Sequence, residues 1–355
     1  MRRVAQSILI IGSGLIGTSI GMAMSRAGAK VYLVDRDPAV AARAEQLGGG
    51  HAALPSNDPD VVIVAVPPRD VADVAAAALR DWPSSTVTDV CSVKGVPMRA
   101  LSATGADMTR WVGGHPMAGR EVTGPEGARR ELFNDRVWVV APSDSASAER
   151  IAAVTHIAVT CGATPVQMSA DDHDRAVALT SHVPQVLSSV LAGRVGAASA
   201  DHVQVSGQGL RDMTRIAASD PELWTEILSA NPGPVRQVLE GLIIDLERVR
   251  DALAADAPDA LRDMLERGNE GRAAIPGKHG GESTEYDIVP VLIADEPGAL
   301  SEVFVAAGGA GFNLEDVRID HVLGRPSGLV EVSVRVGLGD DLAAALRERG
   351  FDVRY

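Results

Sequence analysis

The sequence is short of several things at once. Only 3% of its 355 residues are aromatic, and only Cys91 and Cys161 are cysteine. Two thiols cannot make a disulfide framework, so a cross-linked secreted scaffold is excluded and a reducing compartment is expected. Positive charge is in deficit: 33 Lys and Arg face 47 Asp and Glu, a formal net charge of −14. Neither a nucleic acid nor an anionic membrane is attracted to such a surface. No run approaches the roughly 20 apolar residues of a membrane helix. The opening SILIIG is too short for a signal-peptide core. The expectation is a soluble, cytoplasmic protein with no nucleic-acid or membrane partner. With so few rings, Ala, Val and Leu must fill the interiors. A chain of this length exceeds one ordinary core, so two or three domains are expected.

What is present is clearest at the start. Ile8 to Ile11 is a continuous apolar run, as in a strand buried on both faces. Gly12, Gly14 and Gly17 then give G-x-G-x-x-G, with Leu15, Ile16, Ile20 and Met24 following at helical spacing. Val31 to Val34 is the next strand, ending in Asp35. Gly12 permits a tight turn, Gly14 a close approach to a pyrophosphate, and Gly17 tight packing of helix on strand. The helix N-terminus, at Leu15 and Ile16, offers unpaired N–H groups to phosphate. Asp35 is placed to accept from an adenosine 2′-hydroxyl, which favours NAD; Arg36 beside it could instead lie against the adenine or meet a 2′-phosphate. Strand-like runs recur at 60–67, 86–92, 111–116, 136–142 and 164–168, with alanine-rich helical stretches at 71–79 and 146–160. This alternation predicts an α/β Rossmann-type doubly wound, mainly parallel sheet over residues 1–168. Ligands of such sheets bind beyond the carboxyl ends of the strands. Ser92 and His115 stand at two such ends, and His115 sits in GGHPMAG, where glycines and a proline hold the backbone tightly.

From Ser169 the pattern becomes all-helical. Ser169 and Asp172 form an S-x-x-D start signal. Ala176, Leu179, Val183, Val186, Val190 and Leu191 read as one apolar stripe. Asp171, Asp172, His173 and Asp174 suit the first turn, where acids oppose the positive end of the helix dipole, and no metal site is expected. Pro184 kinks this helix just after Ser181 and His182. The kink either marks a site or leaves a surface histidine beside an incidental bend. Arg211 and Arg215 share a helical face; their forks suit carboxylates, though a solvated basic face is the plain alternative. Leu239, Leu242, Ile243, Leu246 and Val249 read as core or subunit-contact positions, and a homodimer is expected. The helical domain is expected over 169–270, a glycine-rich linker over 271–284 with Lys278 and His279, and a βαββαβ, ferredoxin-like unit over 285–355.

Taken in order, GSGLIG, DVCSVKG, GGHPMAG, SHVP and GLRDMTRIAASDPELW make the chain resemble the prephenate/arogenate dehydrogenase family of tyrosine biosynthesis. The matching pieces span residues 8 to 224. The resemblance implies a dinucleotide domain, then an all-α dimerisation domain, with the active site between them. It implies NAD-dependent oxidative decarboxylation of prephenate to 4-hydroxyphenylpyruvate, CO2 and NADH, or of arogenate to tyrosine. It implies that His115 takes the proton of the substrate's C4 hydroxyl and that Ser92 bonds the same hydroxyl or His115. Arg215 would bind a substrate carboxylate, His182 would line the pocket with Ser219 nearby, and Trp224 would close it. The first strand starts near the beginning of this sequence, so no fused mutase domain is expected ahead of it. DEPGAL and GFNLEDVRID resemble the ACT domain, which implies feedback by tyrosine bound near Asp295, Gly298 and Asn313; a module serving dimerisation alone is the alternative. Two other readings stand against the enzyme: a non-catalytic sensor of NAD and amino acid, and a β-hydroxyacid dehydrogenase. The first has no need of Ser92, His115 and Arg215 together. The second commonly relies on a lysine in its helical domain, and residues 169–266 contain none.

Overall fold

In the computed structural model, residues 6–120, 122–275, 286–321 and 327–354 are described. Lys278, His279 and most of the expected linker lie outside them. The chain forms two compact units, Met1–Glu247 and Arg248–Tyr355.

The first unit is built on a seven-stranded sheet: β1 Ser7–Ile11, β2 Lys30–Val34, β3 Val61–Val64, β4 Thr86–Asp89, β5 Trp111–Pro116, β6 Val137–Pro142 and β7 Thr164–Gln167. Their order is β2-β1-β3-β4-β5-β6-β7. Side chains alternate across a strand, so each strand feeds two cores. Ile8 and Ile10 enter one core with Met24, Trp138 and Ile157, while Leu9 enters the other with Val62, Leu79 and Trp111. Each such Ile or Leu, fully buried, contributes about 1.5–3 kcal/mol. Helices α1 Leu15–Arg26, α2 Pro38–Gln46, α3 Val71–Asp81, α4 Gly95–Ala103 and α5 Ala148–Thr160 fill the connections. One feature of the sheet departs from a wholly parallel reading. β6 runs antiparallel to β5, and β7 is parallel to β6. Among the described residues between Pro116 and Val137 there is a short 3-10 turn, Pro125–Gly127, and no crossover helix, so β6 returns in the opposite sense.

The chain leaves β1 towards β2 on one side and then places β3 on the other side of β1. The crevice between their carboxyl ends is the topological switch point, where such sheets bind ligands. β4 and β5 are parallel to β3, so the ends bearing Ser92 and His115 lie on the same edge.

The helical part opens with α6 Ala170–Val177, a π-helical turn Ala178–His182, and α7 Val183–Gly196. Pro184 has no N–H to continue the ladder, and the turn before it widens instead of simply bending. Widening rephases the face and corrects the expected stripe. Val177, Ala178 and Val183 are buried, whereas Ala176 is exposed and Leu179 and Val190 are 61% and 59% exposed. The run Ala170–Gly196 also has the length and mean hydropathy to cross a membrane, by those criteria alone, which the sequence reading overlooked. Next come α8 Ala200–Gln204, α9 Gln208–Thr214, α10 Pro221–Ala230, α11 Pro232–Ala254 and α12 Pro258–Ala273. The shared core is small: Ala178, Val183 and Val235, flanked by Leu187, Leu228, Leu239 and Leu242. Ile243 and Leu246 point outward. α12 continues to Ala273, so the expected linker start at 271 is helical, and α12 falls with the second compact unit.

In the second unit β8 Tyr286–Ala294, α13 Ala299–Gly309, β9 Asp316–His321, β10 Ser327–Arg335, α14 Gly339–Glu348 and β11 Asp352–Val353 give the expected βαββαβ order. The sheet runs β11-β8-β10-β9, and its pairings are antiparallel. Val289, Val291, Val330, Val332 and Val334 pack with Val303, Leu342 and Leu346.

Candidate active site

The glycine loop is shaped as its spacing requires. Gly12 has φ +99°, and a Cβ there would lie 2.3 Å from the carbonyl oxygen of Ala65 on the neighbouring strand end. A Cβ on Gly17 would lie 2.0 Å from the Gly12 carbonyl oxygen. Gly14 meets nothing within 4 Å, so the space beside it is open. Gly14 is also the N-cap of α1 and gives no side-chain cap, which leaves the first-turn N–H groups, around Leu15 and Ile16, for an anion. Asp35 accepts from the N–H of Ser13 (2.8 Å) and of Asp37 (3.1 Å). Its carboxylate is thereby fixed at the rim of the loop, with lone pairs to spare for a ribose hydroxyl. Arg36 is exposed beside it. These residues fit a dinucleotide.

Two strands away, the ends of β4 and β5 are knitted by Asp89. Its oxygens accept from the N–H of Cys91 (3.0 Å) and of Gly114 (3.2 Å), and it pairs with the Nζ of Lys94. Both charged groups are almost wholly buried, so each requires the other. Gly113 and Gly114 are small because the sheet has no room. A Cβ on Gly114 would lie 2.7 Å from the Asp89 carbonyl oxygen and 3.1 Å from Nε1 of Trp138. His115 follows, half-buried, and Ser92 is half-buried at the adjacent strand end. The Ser92 hydroxyl has no hydrogen-bond partner among the described residues.

His115 is held by a residue that the sequence places in the first turn of the helix after Ser169. Its Nδ1 is 2.8 Å from Nε2 of His173, with the two rings edge to face at 72°. His173 is 0% exposed, and its Nδ1 is 2.8 Å from Oδ1 of Asp174. Asp174 in turn accepts from the backbone N–H of Lys94 and of Gly95, each at 2.8 Å. It therefore caps α4 from another element. Asp171 and Asp172 are exposed, and Ser169 accepts from the Asp172 N–H, as expected. His173 and Asp174 are the correction: they point inward. Ala170, His173, Asp174, Val177 and Ala178 follow the i, i+3, i+4, i+7, i+8 spacing of one buried face. A polar pair on an apolar stripe was the available signal.

His182 is 1% exposed. Its Nδ1 is 3.2 Å from the Asn231 amide nitrogen, which also donates to the Asp174 carbonyl oxygen at 2.8 Å. Trp224 meets His182 edge to face, with centroids 6.3 Å apart. Ser219 is joined by hydrogen bonds to the Ile216 carbonyl (2.6 Å) and Gln185 (3.5 Å) rather than to His182. Gln185 donates to the same carbonyl at 3.0 Å, bracing the turn that follows Arg215. Arg215 is exposed and without an ion-pair partner among the described residues.

Electrostatics set the protonation states. Burial, then the neighbouring His173, Lys94 and His182, hold the His115 pKa well below its ordinary 6.5. Burial likewise lowers His182 to about 4, against the opposing pull of Asp174. Burial pushes Asp174 up, but its bonds from His173, Lys94 and Gly95 outweigh that and keep it below the usual carboxylate value. Burial raises the Cys91 thiol to about 11, so it is no nucleophile at neutral pH. The site thus presents a neutral imidazole, an ionised carboxylate behind it and a glycine-lined crevice beside it.

Comparison with known proteins follows the same division. The family model for the prephenate dehydrogenase nucleotide-binding domain matches residues 20–167, and that for the prephenate dehydrogenase dimerization domain matches residues 169–267. A probable prephenate dehydrogenase of Streptomyces niveus, NovF, is 34% identical over 97% of this chain and 98% of its own. A cyclohexadienyl dehydrogenase of Zymomonas mobilis is 30% identical over 81% of this chain and 99% of its own. The crystal structure of A. aeolicus prephenate dehydrogenase in complex with hydroxyphenyl propionate and NAD+ aligns with a TM-score of 0.68 at 27% identity, covering 77% of this chain and 99% of that one. The chain belongs to the prephenate dehydrogenase family.

Proposed function

We infer that this chain is an NAD-dependent prephenate dehydrogenase, converting prephenate to 4-hydroxyphenylpyruvate and CO2 in tyrosine biosynthesis. The observation that carries the reading is His115: a neutral imidazole, fixed at a strand end on the same sheet edge as a glycine loop fitted to a dinucleotide. Bound NAD supplies the hydride acceptor for the substrate's C4. The protein's own residues do the rest. As C4 loses hydride its oxygen becomes carbonyl-like and its proton acidic, and His115 accepts that proton. A depressed pKa keeps the imidazole neutral, and so able to accept, throughout the physiological range. Ser92, with an uncommitted hydroxyl, bonds the same substrate oxygen. Arg215 binds a substrate carboxylate through its fork. His182 and Trp224 line the pocket, and Ser219 braces its edge through Gln185. Gly12, Gly14, Gly17, Leu15 and Ile16 hold the pyrophosphate, and Asp35 the adenosine ribose, with Arg36 against the adenine.

The domain assignment is a dinucleotide domain over 1–168, a helical dimerisation domain from 169 and a regulatory ACT domain from 285. The outward Leu179, Val190, Ile243 and Leu246 support a homodimer, since one chain leaves this apolar surface uncovered. In the C-terminal unit, Asp295, Gly298 and Asn313 are the proposed tyrosine site. Gly298 has φ +100° and starts α13 without a side-chain cap. Cytoplasmic location fits the two free, buried cysteines.

The test is NADH formation by the purified protein with prephenate or arogenate, each with and without tyrosine. Both substrates are cyclohexadienes, and the Zymomonas relative bears that broader name. Turnover of prephenate, lowered by tyrosine and lost by about 10²- to 10⁴-fold in His115→Asn, is expected. NAD binding without NADH from either substrate would overturn the reading.

A further inference from the structure

The structure assigns His173 and Asp174 as positioning residues that dictate which nitrogen of His115 is the base. This rests on the role proposed for His115 above and deepens it. An ionised carboxylate only accepts, so the proton between Asp174 and His173 sits on Nδ1 of His173. With that proton as its one ring proton, His173 has a bare Nε2 facing His115. The 2.8 Å contact between that nitrogen and Nδ1 of His115 needs one proton, and only His115 can supply it. His115 is thereby fixed as the Nδ1–H tautomer, with its lone pair on Nε2.

The reaction then balances along this chain. The C4 O–H bond breaks and its proton forms a bond to Nε2 of His115, whose lone pair it takes. Bound NAD would be the acceptor for the C4 hydride, and the C1–carboxylate bond breaks to release CO2 as its electron pair enters the ring. As the 4-hydroxyphenyl product forms, the phenolate oxygen left by decarboxylation takes that proton back; until then His115 is an imidazolium. Its Nδ1–H faces His173, and behind His173 stands the charge of Asp174. The positive charge thus develops where a buried negative charge is already fixed, at no cost of reorganisation. Lys94, whose charge would oppose it, is neutralised by Asp89.

Two measurements test the assignment. The first is nitrogen NMR of histidine-labelled wild-type protein with NAD, its signals assigned through His115→Asn and His173→Gln. The expected spectrum has His115 protonated on Nδ1 and bare on Nε2. A proton on Nε2 would overturn the inference without reference to turnover or to the folding of any variant. The second is steady-state kinetics of His173→Gln and Asp174→Asn. Both should lower kcat by at least about 10²-fold, towards the roughly 10⁴-fold of a wrong-tautomer triad, with the KM for prephenate within about threefold. Full turnover in these two variants while His115→Asn is impaired would overturn this inference alone. Full turnover in His115→Asn would overturn the base assignment and this inference with it.

Discussion

Acid should unfold this protein earlier than its carboxylates alone require, and His182 is the reason. Unfolded, its imidazole titrates near 6.5; folded, burial holds it to about 4. The unfolded chain therefore binds a proton that the folded one refuses, and stability falls as pH drops through that window. For those two values the loss is about 2 kcal/mol at pH 5 relative to pH 8, rising to about 3 kcal/mol below pH 4. The groups facing His182 are Asp174, which opposes the shift, and His173, which adds to it; Asn231 and Trp224 are uncharged. His115 is shifted in the same direction, so the slope of the wild type exceeds the share of His182. The assay is thermal unfolding by circular dichroism from pH 8 to 5, in wild type and in His182→Gln. The glutamine keeps a partner for Asn231 and does not titrate. Two kcal/mol corresponds to about 4–8 °C in a unit of this size, and the wild-type Tm should fall by that much more than the variant's. Parallel curves would refute the reasoning, because they would mean that His182 titrates alike in both states.

Further outcomes follow from the same geometry. Gly114→Ala places a methyl 2.7 Å from the Asp89 carbonyl oxygen, and should cost about 1–3 kcal/mol and displace His115, lowering Tm and turnover together; an unchanged Tm would contradict the packing described. Gly12→Ala forces a side chain at φ +99° against Ala65 and should weaken NAD binding by calorimetry at least about tenfold, while prephenate titrated alone is unaffected. Arg215→Ala should raise the KM for prephenate by roughly 10- to 100-fold, the equivalent of one charged hydrogen bond, with a smaller change in kcat. An unaltered KM removes Arg215 from substrate binding.

Some of this was legible from the sequence, and the reasons differ by residue. Gly12, Gly14 and Gly17 are readable because each answers a local backbone constraint at fixed spacing. The Gly113–Gly114 pair marked His115 for the same reason, since two successive glycines answer a crowded strand end. The βαββαβ order of the C-terminal unit was readable from alternation alone. The reversal of β6 was not, because the apolar run Trp138 to Ala141 is buried whichever way it runs. The π turn at Ala178–His182 was half-legible: Pro184 announced a defect, but not that the helix would widen and carry Leu179 outward. His173 and Asp174 were missed because first-turn acids ordinarily face solvent, as Asp171 and Asp172 do. What distinguishes the inward pair is its phase against Ala170, Val177 and Ala178, a tertiary preference that overrides the local one.

Asp174 has one more consequence, for how substrate gets in. The carboxylate that stands behind His173 also clamps the N–H groups of Lys94 and Gly95, so the helical layer is riveted to the sheet layer beside the strand ends that carry Ser92 and His115. Swinging the two layers apart there would forfeit two charge-assisted hydrogen bonds, about 1.5–3 kcal/mol each, and strand a buried charge. Entry by a hinge at this seam is therefore disfavoured. The amides of Lys94 and Gly95 should accordingly exchange with solvent about as slowly as the sheet itself, and rapid exchange there would reopen the hinge.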